Sequence, residues 1–397
     1  MKNNKEEKNK EKYYRAENSL NSFLIIEDEV KEEDDFYELS FKEVYKTNSL
    51  FEHVIMHINI FLSKDNSQNE NTAKNIQKIT EFINQNKFTN DILEIILLKG
   101  IPNSLPCLRP LIWKAFIGYF PPNDLSKWKS ITINNYLSYK SIKKKYKGYP
   151  NNLTDDNDKK LLLQLEKDLP RTRGNVPFFK SKTDSKINPE ETNYDVIKRM
   201  LFYFAKENSI SYVQGMNEII AIIYYIFAND DNPFFEKFKE SDTYNCFSLL
   251  VKEIEPIFHM TDISYSKLFI TKQITQINEI LEKIEPDILN YFKEIDFSID
   301  NFIMRWIMVL FAQEFKIDVA VNFWDRMFTQ KDKTKFICFI SVAILKLNKD
   351  KLIMKEIEDI YEWTKEMGNN ISKIDMNEII KNAFEIKKKY KELNKKK

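Results

Sequence analysis

The chain has 397 residues, with 61 Lys and Arg against 60 Asp and Glu, a net charge of +1 that excludes the basic footprint of a bulk nucleic-acid binder. Only six residues are glycine, and no two stand at the spacing of G-x-G-x-x-G or G-x-x-x-x-G-K-[ST], so a Rossmann fingerprint and a P-loop are excluded as well. Apolar residues make up 43% of the chain, enough for a large core.

Residues 1–40 are predicted to form a disordered arm. Met1 to Lys12 is charged and has no apolar stretch of the kind a signal peptide needs. Glu27 to Glu38 carries eight acids and one lysine, and such runs stay solvated. Residues 41–94 read as a helical extension, in which Phe51, Val54, Ile55, Ile58 and Phe61 recur at helical spacing. The extension stops at Lys99-Gly100-Ile101-Pro102.

Residues 95–365 read as the main domain. Its longest apolar run, Ile219 to Ala228, is far short of the ~20 residues that span a bilayer. No proline follows Pro286, so uninterrupted helices are predicted there. Ile303 to Phe315 is apolar around nearly its whole circumference, with Arg305, Gln313 and Glu314 as exceptions. Residues 366–397 complete the chain as a helix and a lysine-rich tail. Strand signals are weak throughout, and the predicted fold is all-α. Cys107, Cys246 and Cys338 are odd in number and widely spaced, as expected of reduced cysteines in a cytoplasmic protein.

Metal and nucleophilic chemistry find little support. His53 and His57 stand four apart, but the Glu of H-E-x-x-H is missing and no third ligand is near, so no metal site is expected. There is no G-x-S-x-G elbow and no C-x-x-C.

Two segments stand out. In Leu165-Glu166-Lys167-Asp168-Leu169-Pro170-Arg171-Thr172, the arginine follows a proline near a helix end. Asp168, three residues earlier, is placed to hold its guanidinium. A cation favoured by the helix dipole is the alternative. In Ser211-Tyr212-Val213-Gln214-Gly215-Met216-Asn217-Glu218, the glutamine precedes a glycine at the mouth of the long apolar helix. Gln214 either faces a partner there or substitutes for a helix cap; Gly215 permits a sharp turn or a close approach.

These segments resemble the two signature motifs of the TBC domain, the Rab GTPase-activating module. The first follows I-x-x-D-x-x-R-T with Leu165 in place of Ile, and the second matches Y-x-Q-G-M unchanged. The resemblance extends to Gly100-Ile101-Pro102, Leu108-Arg109-Pro110, Trp113, Asp242-Thr243, Cys246-Phe247, Arg305-Trp306, Gln313-Glu314-Phe315 and Trp324-Asp325. The extended second motif and the Gln-Glu-Phe ending look closest to the subgroup typified by TBC domain family member 13.

The resemblance implies an all-α, multi-helix TBC domain of two helical lobes. It also implies an activator acting in trans on a GTP-bound Rab, rather than an enzyme with turnover of its own. Arg171 would neutralise charge on the γ-phosphate, and Gln214 would orient the attacking water. Asp168 is expected to orient Arg171, Thr172 to contact nearby backbone, and Tyr212 to pack beneath the Gln214 turn. Asn217 either assists Gln214 or caps its helix. Arg305 needs a partner or solvent, with Glu218 and Asp168 as candidates.

Arg173 stands where many relatives carry Asn or a small residue, and is expected to add a positive charge beside the finger. No cofactor of the chain's own is implied, because GTP and Mg²⁺ belong to the Rab. A cytoplasmic protein regulating vesicle traffic follows, with peripheral contact on endomembranes through the lysine-rich tracts and no nucleic-acid partner. The alternative is a catalytically silent Rab-binding adaptor or scaffold.

Overall fold

The computed structural model describes Met56 and residues 100–101, 106–185, 188–258 and 263–395. The predicted arm, most of the helical extension, the His53 and His57 pair and His259 lie outside them. Among the described residues the fold is helical, and β structure is limited to one isolated bridge between Lys182 and Thr192.

The first lobe is built around a helix that no polar face interrupts. Helix α5 (Met216–Ala228) is buried over almost its whole surface, as a helix apolar beyond its first turn must be. Against it pack α1 (Leu108–Phe116), α4 (Asn193–Glu207) and α6 (Lys239–Glu253), while α2 (Trp128–Lys145) lies on α6 and α3 (Asp156–Asp168) on α4. The start of α4 is set by a capping box, in which Thr192 and Asp195 satisfy each other's backbone amides.

The second lobe comprises α7 (Ile263–Ile284), α8 (Pro286–Glu294), α9 (Asp300–Met308), α10 (Ile317–Met327), α11 (Lys333–Leu347), α12 (Ile357–Asn370) and α13 (Lys373–Lys395). Helix α11 is its buried centre, covered by α7, α9 and α13. The segment read as a lysine-rich tail is therefore largely the end of α13, whose Met376, Ile379, Ile380, Ala383 and Ile386 are core residues. The lysine run before Gly148 is likewise engaged: Lys143 pairs with Glu240, Lys145 pairs with Glu207, and Tyr139 is buried.

One prediction fails in an informative way. Ile303 to Phe315 is not one helix. Helix α9 ends at Met308, and the chain turns through Leu310 and Phe311, both with positive φ (51° and 58°). No proline or glycine forces this. Long-range contacts do: Trp324 Nε1 donates to the Leu310 carbonyl at 3.0 Å, and Arg305 pairs with Glu314 across the turn. Helix α12 passes so close that a Cβ on Gly368 would sit 1.2 Å from the Glu314 carbonyl oxygen.

Helix α1 bolts the lobes together. Toward α6, Lys114 pairs with the fully buried Asp242 at 2.5 Å, and its ammonium lies 3.4 Å from the Phe235 ring centroid. Toward α10, Asp325 is fully buried and receives four donors: Arg109 Nε at 3.0 Å, Arg109 Nη2 at 3.1 Å, Trp113 Nε1 at 2.8 Å and the Ile101 amide at 2.9 Å. Gly100, with φ +71°, packs against the buried Arg326 guanidinium and leaves no space for a Cβ.

This arrangement predicts that Asp325→Asn, which strips the charge facing buried Arg109, destabilises the chain by about 3–5 kcal/mol. Urea unfolding followed by circular dichroism measures it; a loss below about 1 kcal/mol would show the pair to be dispensable.

Candidate functional site

Helix α3 is capped by Asp155, whose carboxylate accepts from the Asn157 amide, and runs into a single 3-10 turn, Leu169–Arg171. Pro170 ends the helix and presents Arg171 outward, with 71% of its side chain exposed. Its Nη2 donates to Asp168 Oδ1 at 3.0 Å and its Nε donates to the Lys167 carbonyl at 3.2 Å. The guanidinium is thus aimed, yet still offered to solvent.

Gln214 lies on the turn before α5 and is exposed. The next residue, Gly215, has φ +108°, and a Cβ there would meet Val309 Cγ1 at 2.9 Å. Glycine is therefore required twice, once for the backbone angle and once for the approach to the turn after α9. Gln214 makes no side-chain hydrogen bond among the described residues.

The two loops are joined by one buried network. Asp168 Oδ2 accepts from the Tyr212 hydroxyl at 2.9 Å, and that hydroxyl lies 3.0 Å from Asn217 Oδ1. Asn217 Oδ1 also accepts from the Gly215 amide at 2.9 Å, while Asn217 Nδ2 donates to Thr172 Oγ1 at 2.7 Å. The Thr172 hydroxyl donates to the Asp168 carbonyl at 3.1 Å, closing the ring. Burial, with the Asp168 carboxylate next in effect, pushes the Tyr212 hydroxyl far above its ordinary pKa. It therefore remains a donor.

Asp168, Arg171, Thr172, Tyr212, Gln214, Gly215 and Asn217 thus form one constellation. Asn217 makes no bond to the Gln214 side chain; it accepts from the amide of Gly215, the residue that caps α5, and ties that turn to Thr172.

Two expectations are corrected. Arg305 meets neither Glu218 nor Asp168; its guanidinium forks onto Glu314, with Nη2 at 2.9 Å from Oε2, and it stays outside the constellation. Arg173 adds no surface charge beside Arg171. Its side chain is 6% exposed, faces Glu218 at 3.6 Å and donates from Nη1 to the Phe315 carbonyl at 2.5 Å. Positive φ at Arg173 turns it inward, and adjacency in sequence gave no sign of that. The sequence offers the buried Glu218 only as a partner for Arg305, and the structure pairs it with Arg173. A carboxylate in the first turn of a helix that is apolar beyond Asn217 and Glu218 is the available signal.

The Rab-GTPase-TBC domain family model matches residues 106–353. The chain belongs to that family. Human TBC1 domain family member 13 is 30% identical over 182 residues, covering 46% of this chain and 45% of the relative. The GTPase-activating protein GYP1 of Saccharomyces cerevisiae is 24% identical over 273 residues, covering 63% of this chain and 39% of that protein. This chain spans less than half the length of these curated relatives. The crystal structure of the Ypt/Rab-GAP domain of Gyp1p superposes with a TM-score of 0.65 at 21% identity, over 80% of this chain and 99% of that one. That likeness shows the TBC fold.

No helix among the described residues of this TBC domain is long and apolar enough to cross a membrane, and no group of His, Cys, Asp and Glu among them is placed to hold a metal ion.

Two predictions follow from the geometry. Asn217→Ala leaves the Gly215 amide and the Thr172 hydroxyl without their partner, at a cost of about 1–3 kcal/mol in urea unfolding. The second concerns pH. Burial, offset in part by Arg173, raises Glu218 from 4.5 to about 7. Between those values the folded chain holds a proton that the unfolded chain has released, so stability falls as pH rises through that window. Glu218→Gln removes this loss: relative to wild type, the variant gains up to roughly 3 kcal/mol between pH 5 and pH 8. A stability difference that stays constant across that range would contradict the assignment.

Proposed function

We propose that the chain is a GTPase-activating protein for a Rab-family small GTPase in its GTP-bound state. It acts in trans through Arg171 and Gln214. The observation that supports this best is the pairing of an exposed, pre-aimed guanidinium with an exposed glutamine, on two loops locked together by a buried network. Family membership and relatives named as GTPase-activating proteins support the same reading.

Phosphoryl transfer needs positioning and charge stabilisation more than covalent help. In the proposed reaction water attacks the γ-phosphate of GTP, giving GDP and inorganic phosphate. Arg171 neutralises charge that builds on the transferring group, as a planar fork suited to phosphate oxygens. Gln214 holds the attacking water by its amide. GTP and Mg²⁺ arrive with the Rab, so the chain itself needs neither a phosphate loop nor a cofactor. On this reading the protein works in the cytoplasm and on the faces of endomembranes, and it regulates vesicle traffic by ending the GTP-bound state.

Single-turnover GTP hydrolysis across a panel of Rab proteins tests the proposal. The wild-type chain accelerates hydrolysis by at least one of them. Arg171→Ala removes that acceleration, by about 10³- to 10⁵-fold, and leaves binding to the GTP form intact. Arg171→Lys also fails, because lysine lacks the fork. Gln214→Ala slows the step as well. Tight binding of a GTP-bound Rab by the wild type with no change in rate would replace this reading with that of a silent adaptor.

A further inference from the structure

Arg173 stands two residues after Arg171, with a backbone φ of +49°. That left-handed conformation is unfavourable for a non-glycine residue. The side chain that follows is buried and reaches two other parts of the fold. Nη1 donates to the Phe315 carbonyl in the turn before α10, and Nε faces Glu218 Oε2 at 3.6 Å. Glu218 lies in the first turn of α5, four residues after Gln214. One buried side chain therefore touches the Arg171 loop, the Gln214 helix and the second lobe.

A filler of space would do this at lower cost. A buried ion pair contributes no more stability than well-packed apolar residues, and often less. This pair is also unsaturated: Arg173 Nε and Nη2 and Glu218 Oε2 have no hydrogen-bond partner among the described residues. Burial lowers the Arg173 pKa and raises that of Glu218, so the charges stand here against their own solvation. Strain of this kind, placed directly behind two exposed polar groups, points to a functional constraint.

We propose that Arg173 and Glu218 are positioning residues: their ion pair, anchored on the Phe315 carbonyl, sets the Arg171 loop against the Gln214 helix, and GTPase activation requires Glu218 to be ionised. The proposal rests on the Rab-activating reading above. The groups facing Glu218 are Arg173 from the loop after α3, Glu314 from the turn after α9 and the hydroxyls of Tyr194 and Tyr212. Arg173 favours the ionised form, while burial and Glu314 oppose it, and Arg305 holds Glu314 in its own fork. Ionisation is thus finely balanced, and loss of it leaves Arg173 without a counter-charge.

The test uses the full chain and a Rab that the wild type accelerates, in single-turnover hydrolysis from pH 6 to 8.5, normalised to the Rab alone. Arg173→Met and Glu218→Gln each lower the acceleration at saturating chain by about 10- to 100-fold, with the half-saturating concentration little changed. Arg173→Lys recovers part of the loss. Wild-type acceleration falls as pH drops through neutrality, whereas the Glu218→Gln profile is flat. The double variant Arg173→Met/Glu218→Gln leaves no unpaired buried charge; it melts near the wild type and stays slow.

Full acceleration by either folded single variant, or by the double variant, would overturn the proposal. Should Arg173→Met fail to fold, the isosteric Glu218→Gln decides alone. Failure of the wild type on every Rab would instead remove the reading beneath it. Loss in Arg171→Ala with full activity in Glu218→Gln would remove this inference only.

Discussion

The hydrogen bonds that join Asp168, Tyr212, Asn217 and Thr172 are the constraint on which the candidate site depends. Arg171 ends a single 3-10 turn and Gln214 lies on the turn before α5, 43 residues apart in sequence, and no helix joins the two. Each polar group between them is buried. A buried donor or acceptor without a partner costs about 1–3 kcal/mol, so every member of the ring must keep its place. The ring therefore fixes the Gly215 amide relative to Thr172, and with it the two exposed side chains. A network this connected has few alternative arrangements, which is a stronger statement than that it is stable.

Its position in turn depends on how the lobes are held. Helix α1 is short, yet it carries both Lys114 for Asp242 and Arg109 and Trp113 for Asp325. These charges are fully enclosed, where breaking a pair is costly although forming it gains little. Such contacts penalise misassembly of the lobes more than they add to stability. Gly215 shows why register matters: with Val309 2.9 Å from where a Cβ would stand, a small shift of α9 would press on the turn that carries Gln214.

What the sequence made legible was the part governed by local rules. Arg171 after Pro170, Asp168 one helical step earlier, and Gln214 before the glycine that opens α5 all follow from capping, dipole and φ preferences. The apolar circumference of Ile219 to Ala228 announced a buried helix. The break after Met308 was not legible, because the apolar pattern runs on through it and no residue type there disfavours a helix. It is imposed by Trp324, Arg305 and the approach of α12, all distant in sequence or chosen only once the chain is folded. The inward turn of Arg173 is hidden from the sequence for the same reason. Whether an arginine points outward or inward is decided by its φ and by the carbonyl waiting at Phe315, and neither is written next to it.

The scarcity of glycine acquires a physical sense from this arrangement. Gly100, Gly215 and Gly368 each stand where a Cβ would collide with another segment, at Arg326, Val309 and the Glu314 backbone respectively. All three collisions are between parts of the chain far apart in sequence, and two of them involve the turn from Val309 to Phe315. That turn is also where Arg173 is anchored. The backbone is thus drawn tightest behind the two loops, while the side chains in front of them are left in water. Exposed Arg171 gains little from electrostatics in a high-dielectric setting. An exposed guanidinium acts more strongly on charge when a second surface covers it and excludes solvent. On the proposed reading, a rigid frame that presents two uncovered polar side chains is incomplete by itself, and the low-dielectric wall comes from the GTPase that it meets.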